Sequence, residues 1–199
     1  MPERKEVCTY RALEYNEYMS ELEITKLWLE QFVIGLNICP FAKVPYERGL
    51  IQIKLCEESD LKQRMDFFRQ QIDLIQNSSS NEISNMLLIY PNAEASFLSF
   101  LQFEDRLADD LLERDLQATY QLVAFHPEFQ FQGSSIHDRE NLVNCSPYPM
   151  IHLLRHEEVS RAAKAAGHPE DIHNKNVETL GKLAIEQLAL LFPWKKSLR

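Results

Sequence analysis

A chain of 199 residues, 45% of them hydrophobic, carries enough apolar material for the core of one generous domain. Its net charge is −9. An acidic surface of that kind repels phosphate backbones, and no basic run interleaved with aromatics offsets it, so nucleic acid is not an expected partner.

The opening residues, MPERKEVCTYRALEYNEYMS, are polar and charged and lack the apolar h-region of a secretory signal. No stretch reaches the ~18 apolar residues a membrane span needs, so no membrane partner is expected either. The expected location is cytoplasmic. Four scattered cysteines, Cys8, Cys39, Cys56 and Cys145, form no C-x-x-C pair and are expected as free thiols in such a reducing compartment. Residues 1–18 read as an N-terminal extension. Residues 19–199 read as a single domain, because no Pro/Gly/Ser linker divides them.

From Ser20 to Leu36 the apolar residues follow a helical period, with Ile24, Trp28 and Phe32 in one stripe. Pro40 and Pro45 stop that helix. Leu50–Cys56 alternates, is rich in isoleucine and predicts the first strand. Ser59 is a plausible N-cap for an amphipathic helix over 60–76, in which Leu61, Met65, Phe68, Ile72 and Ile75 recur at spacings of four and three. Met86–Tyr90 is a continuous apolar run suited to a strand covered on both faces. Asn92 can cap a helix to about Arg114, and Thr119–Phe125 predicts a third strand. Pro149 fits the first turn of a helix through Arg155, followed by more helix up to a Gly167 stop. A last helix is predicted from about Asn176 to Phe192. Strand, helix, strand, helix, strand predicts an α/β fold: a small parallel or mixed sheet of at least three strands with helices around it.

In open α/β sheets ligands bind beyond the carboxyl ends of the strands. Those ends are CEESD, YPNAE and FHPEF, and a long polar loop follows the last of them. His126 is the foremost catalytic candidate, since histidine as a residue type serves as acid, base or ligand near neutral pH. Asp138, Asn141 and Asn144 recur every third residue in the loop. They either offer oxygens to a ligand or bond their own backbone in turns. Asn92 and Asn144 are candidate ligand-binding groups, and Asp138 and His152 complete the candidate catalytic set. His152 and His156 share a helical face by spacing, but lack a third ligand, so no metal is assigned. Arg48, Arg139 and Arg155 each suit an anionic group or a surface ion pair, and Arg155 is the one placed at the site. Cys39 in NICPFA is a candidate reactive thiol, set against the plainer reading of a buried small hydrophobe.

With GLNICPFA, AFHPEF, NCSPYPMIHLLR and GHPEDIHNKN in view, the chain resembles an uncharacterised bacterial and plant family, domain-of-unknown-function family 1415, over about Glu23 to Leu183. That resemblance implies a shared fold and site region and brings no established activity. As the family pattern has arginine at the position of Cys145, it implies no family role for that thiol.

Three readings follow. The first is an enzyme or binder acting on a small polar or anionic metabolite at the carboxyl edge of the sheet. There His126 and His152, 26 positions apart, converge in one pocket. The second is a non-catalytic interaction module anchored by Tyr148, Met150 and Ile151. The third is thiol redox chemistry at Cys39. Cofactor and oligomeric state are not specified by the sequence.

Overall fold

The computed structural model describes residues 18–93, 96–166, 169–195 and 198. Most of the expected N-terminal extension, Cys8 and the Gly167 stop lie outside the described residues.

Ser20 opens helix α1 (Glu21–Trp28) with a capping box. Its hydroxyl accepts from the Glu23 backbone N–H, and the Glu23 carboxylate accepts from the Ser20 N–H. The helix widens into a π-helical stretch over Leu29–Ile34. It ends at Gly35, where a β-carbon would collide with the Gln31 carbonyl oxygen. A short helix α2 (Lys43–Glu47) leads into strand β1 (Ile51–Leu55).

Helix α3 (Leu61–Gln76) is capped by Asp60, one residue beyond the expected Ser59. Strand β2 (Asn85–Ile89) follows. Helix α4 (Phe97–Glu113) is capped by Ser96, not by Asn92. Strand β3 is Tyr120–Phe125. All three predicted strands therefore belong to one sheet.

The region after Pro149 corrects the sequence reading. Met150–Arg155 is not a helix but a fourth strand, β4. The sheet order is β1-β2-β4-β3, with β1 and β2 parallel and β4 antiparallel to both neighbours. The α4 crossover carries β3 past one vacant position, and β4 fills it. A central strand is hydrogen-bonded on both sides and covered on both faces. That context outweighs the local helical signals of Pro149 and the histidine spacing.

Helix α5 (His156–Ala166) begins directly after β4. The predicted last helix is two helices, α6 (Pro169–Gly181) and α7 (Ile185–Leu191).

Helices cover both faces. On one, Met86, Leu88, Ile151 and Leu153 of the sheet pack against Phe68 and Ile72 of α3 and Phe100 and Phe103 of α4. On the other, Leu87, Ile89 and Met150 pack against Trp28 and Phe32 at the N-terminus and Leu180, Leu188 and Phe192 at the C-terminus. Arg69 pairs with the buried carboxylate of Asp110 at 2.6 Å, tying α3 to α4. Among the described residues no helix is long and apolar enough to cross a membrane.

Phe68 has no accessible surface and sits in the α3–α4 core. Phe68→Ala should lower unfolding free energy by about 3–5 kcal/mol, the range for truncating a core aromatic. Urea denaturation checks it; a loss under about 1 kcal/mol would mean that the site collapses around the missing ring.

Candidate functional site

The parallel pair β1–β2 and the shared antiparallel neighbour β4 set β1, β2 and β3 running in one direction. Their carboxyl ends do lie along one edge, as expected. The side chains there are engaged in holding the edge together. His126 is almost fully buried, its ring 5.6 Å from that of Phe97 and 5.5 Å from that of Phe100, both on α4. Its Nδ1 accepts the Glu128 backbone N–H at 3.0 Å, closing the Pro127 turn. Its backbone N–H donates to the Asn144 carbonyl, and its own carbonyl accepts from Ser146. The long excursion therefore returns to the place where it left the sheet.

The other polar candidates at this edge also bond to the backbone. Asn92 Nδ2 donates to the Glu57 carbonyl at 2.7 Å, linking the ends of β1 and β2. Asp138 accepts the Ser135 N–H at 2.7 Å. Asn144 Nδ2 donates to the Ala124 carbonyl at 3.4 Å. Asn141, buried, accepts from Phe131 N–H and donates to the Ser135 carbonyl. These are the turn-forming bonds that short polar side chains make readily.

Two of the candidate arginines serve helix ends. Arg155 is buried; its Nε donates to the Ile83 carbonyl, and its Nη2 donates to those of Ile75 at 2.6 Å and Ser78 at 2.7 Å. The last carbonyls of α3 lack helical partners and carry the negative end of its dipole, so a buried guanidinium is well matched to them. Arg139 does the same for α6, donating to the carbonyls of Leu180, Gly181 and Leu183. It thereby fixes the break between α6 and α7. Arg48 is exposed at the end of α2.

His152 does not join His126. On β4 it pairs in register with Leu87 and Val123. That is three residues, about 10 Å, from His126 along the strand direction. Alternation along β3 and β4 sends the two rings to opposite faces: His126 to α4, His152 to the side of Trp28 and α5. The expected shared pocket is thus corrected to two separate environments. The helical pairing of His152 with His156 also disappears, because one is in a strand and the other begins α5. Among the described residues no three His, Cys, Asp or Glu side chains gather as a metal-holding group.

His152 instead lies at the floor of a cavity of about 500 Å³. The sheet contributes Ile51, Leu87, Leu154 and Phe125; Trp28, Leu29 and Val33 form the facing wall. The turn Cys39–Ala42 and the start of α5 complete it, with Glu158 and Arg161 paired at 2.8 Å near the mouth. Ser84 and Asn85 line it at the amino end of β2, so the hollow extends toward the sheet edge opposite to the expected one. The turn is held by Asn176 of α6, buried, which donates to the Ile38 carbonyl at 2.9 Å.

His152 Nε2 stands 2.9 Å from Asn85 Oδ1. Some of the ring surface opens into the cavity, but the protein around it desolvates an imidazolium and pushes the pKa down to about 4. The ring is neutral at physiological pH. Cys39 lines the same cavity. Burial raises its pKa, against a smaller opposing pull from hydrogen bonds with the Phe41 and Ala42 backbone, so it is a thiol and not a thiolate. The chain before it is helical, unlike the strand that precedes a redox Cys-Pro turn.

Sequence reasoning placed Trp28 in the apolar stripe of a helix and passed over Asn85. The one available signal was Ser84-Asn85, two polar residues opening an otherwise apolar strand.

The family described as "Protein of unknown function (DUF1415)" matches residues 21–189, and the chain belongs to it. No curated protein and no solved structure matches the chain.

The depressed His152 pKa makes stability pH-dependent. Between its unfolded value near 6.5 and its folded value of about 4, the unfolded chain binds the extra proton. Stability should therefore fall as pH drops through that window, and His152→Gln should flatten this part of the profile; urea midpoints at pH 7 and pH 4.5 measure it. Arg155→Met removes the guanidinium donor from the Ile83 and Ser78 carbonyls and should cost roughly 3 kcal/mol, read from the same titrations at pH 7.

Proposed function

We propose that this member of the DUF1415 family binds a small, mainly apolar molecule in the cavity between the sheet, Trp28 and α5. The observation that carries this reading is the lining: about 500 Å³ walled by Trp28, Val33, Phe41, Leu87 and Phe125, with the His152–Asn85 pair at its floor. Ligand sites typically combine such a volume and apolar wall with a few placed polar groups.

The lining favours an apolar body over the polar or anionic metabolite expected from sequence. Arg155, the cation assigned to that metabolite, donates to helix carbonyls. Binding is favoured over covalent chemistry, because the cavity presents a neutral imidazole and a thiol with a raised pKa. The interaction-module reading loses support: Met150 and Ile151 are fully buried in β4, and Tyr148 is half-buried. A cytoplasmic protein fits the free thiols Cys39, Cys56 and Cys145 among the described residues.

Ala42, partly buried on the wall turn, lines the hollow, so a larger side chain there takes up space that a ligand would use. Wild-type protein should bind the neutral apolar dye Nile red with a blue-shifted emission. Ala42→Trp should weaken that binding at least about tenfold, roughly 1.4 kcal/mol, with a Tm within a few degrees of wild type. Equal dye affinity in the two proteins would place the dye elsewhere and refute the reading.

A further inference from the structure

The polar atoms of the cavity form an ordered chain. Asn85 Nδ2 donates to Ser84 Oγ at 3.3 Å, which turns Asn85 Oδ1 toward His152 Nε2 at 2.9 Å. An amide oxygen only accepts, so Nε2 carries the proton and Nδ1 presents a bare lone pair. Among the described residues no protein donor reaches that nitrogen.

The other cavity groups do not supply one. The Trp28 indole N–H donates at 3.1 Å to the Cys145 carbonyl. Arg161 is two-thirds exposed at the mouth and paired with Glu158. The floor therefore offers an acceptor inside an apolar enclosure, and an acceptor so placed is satisfied by a donor on the occupant.

We propose that the cavity selects apolar molecules bearing a hydroxyl group, phenolic or alcoholic, whose O–H donates to Nδ1 of His152. This rests on the cavity reading above and adds the chemical class of the ligand. A carboxylate is disfavoured, since its oxygens would face an imidazole lone pair and the Asn85 carbonyl. The ring remains neutral down to about pH 4, so the acceptor persists across the physiological range.

Isothermal titration of the full chain at pH 7 with 2-naphthol, 2-methoxynaphthalene, naphthalene and 2-naphthoate tests the proposal. These probes share one apolar body and differ in donor, acceptor and charge. In wild type, 2-naphthol should bind about tenfold more tightly than 2-methoxynaphthalene or naphthalene, as one buried hydrogen bond implies, with 2-naphthoate weakest. His152→Leu should bring 2-naphthol to within about twofold of naphthalene, and His152→Gln, which retains an acceptor, should restore part of the preference. If naphthalene binds and 2-naphthol gains nothing over 2-methoxynaphthalene, the hydroxyl selection is refuted while the cavity reading stands. If none of the uncharged probes binds wild type, both fall. Should His152→Leu fail to fold, the wild-type ratio alone decides.

Discussion

The architecture depends on one insertion, that of β4 between β2 and β3. Without it the two strands would stand apart with unpaired backbone on each inner edge, a condition that buried sheet does not tolerate. The ladder is extended at one end by Tyr90 N–H to the Pro149 carbonyl and at the other by His156 N–H to the Thr119 carbonyl. Register then determines chemistry. Because successive residues of β4 face opposite ways, Ile151 and Leu153 enter the α3–α4 core, while His152 faces the cavity. A slip of one residue would bury the imidazole among phenylalanines and empty the floor of the cavity of its polar group. The same strand ends on Arg155, delivered to the C-terminus of α3.

The electrostatics follow from that placement. Two of the arginines weighed for an anionic ligand, Arg155 and Arg139, are engaged by backbone carbonyls. Arg155 and Arg139 each donate to last-turn carbonyls of a helix, Ile75 of α3 and Leu180 and Gly181 of α6, and to one carbonyl just beyond it. Burying a guanidinium carries a desolvation cost, which charge-assisted bonds to several oxygens offset. An arginine read in the sequence as suiting an anionic group or a surface ion pair here braces a helix end far away along the chain, which no local signal reveals.

Elements with a clean period were legible in the sequence. The isoleucine alternation of β1, the apolar run of β2 and the four-three spacing of α3 all describe contacts that local pattern alone dictates. MIHLLR was not, because a buried central strand and a short buried helix present the same apolar run, and only the vacancy between β2 and β3 decides between them. The backbone bonds of the edge residues were hidden for a related reason. The rule that ligands collect at carboxyl ends correctly put His126, Asn92 and Asn144 on one edge. It is silent on whether their polar atoms are engaged by turns, and here Glu128 N–H engages Nδ1 of His126 while the Glu57 and Ala124 carbonyls engage Nδ2 of Asn92 and Asn144.

The cavity arises where packing is incomplete by construction. The π-helical stretch after Trp28 and the Pro40-bearing turn Cys39–Ala42 both border the hollow. Val33, Leu87 and Phe125 are left lining a hollow that meets solvent near Glu158 and Arg161. A side chain from that turn large enough to fill it would add buried apolar contact, so an unfilled apolar hollow is not what stability alone favours. Apolar walls offer water few hydrogen bonds, so under the proposed binding role the entry of an apolar molecule would be favoured by its desolvation. In the proposed binding role, the Ser84–Asn85–His152 chain would supply direction where the apolar walls would supply affinity.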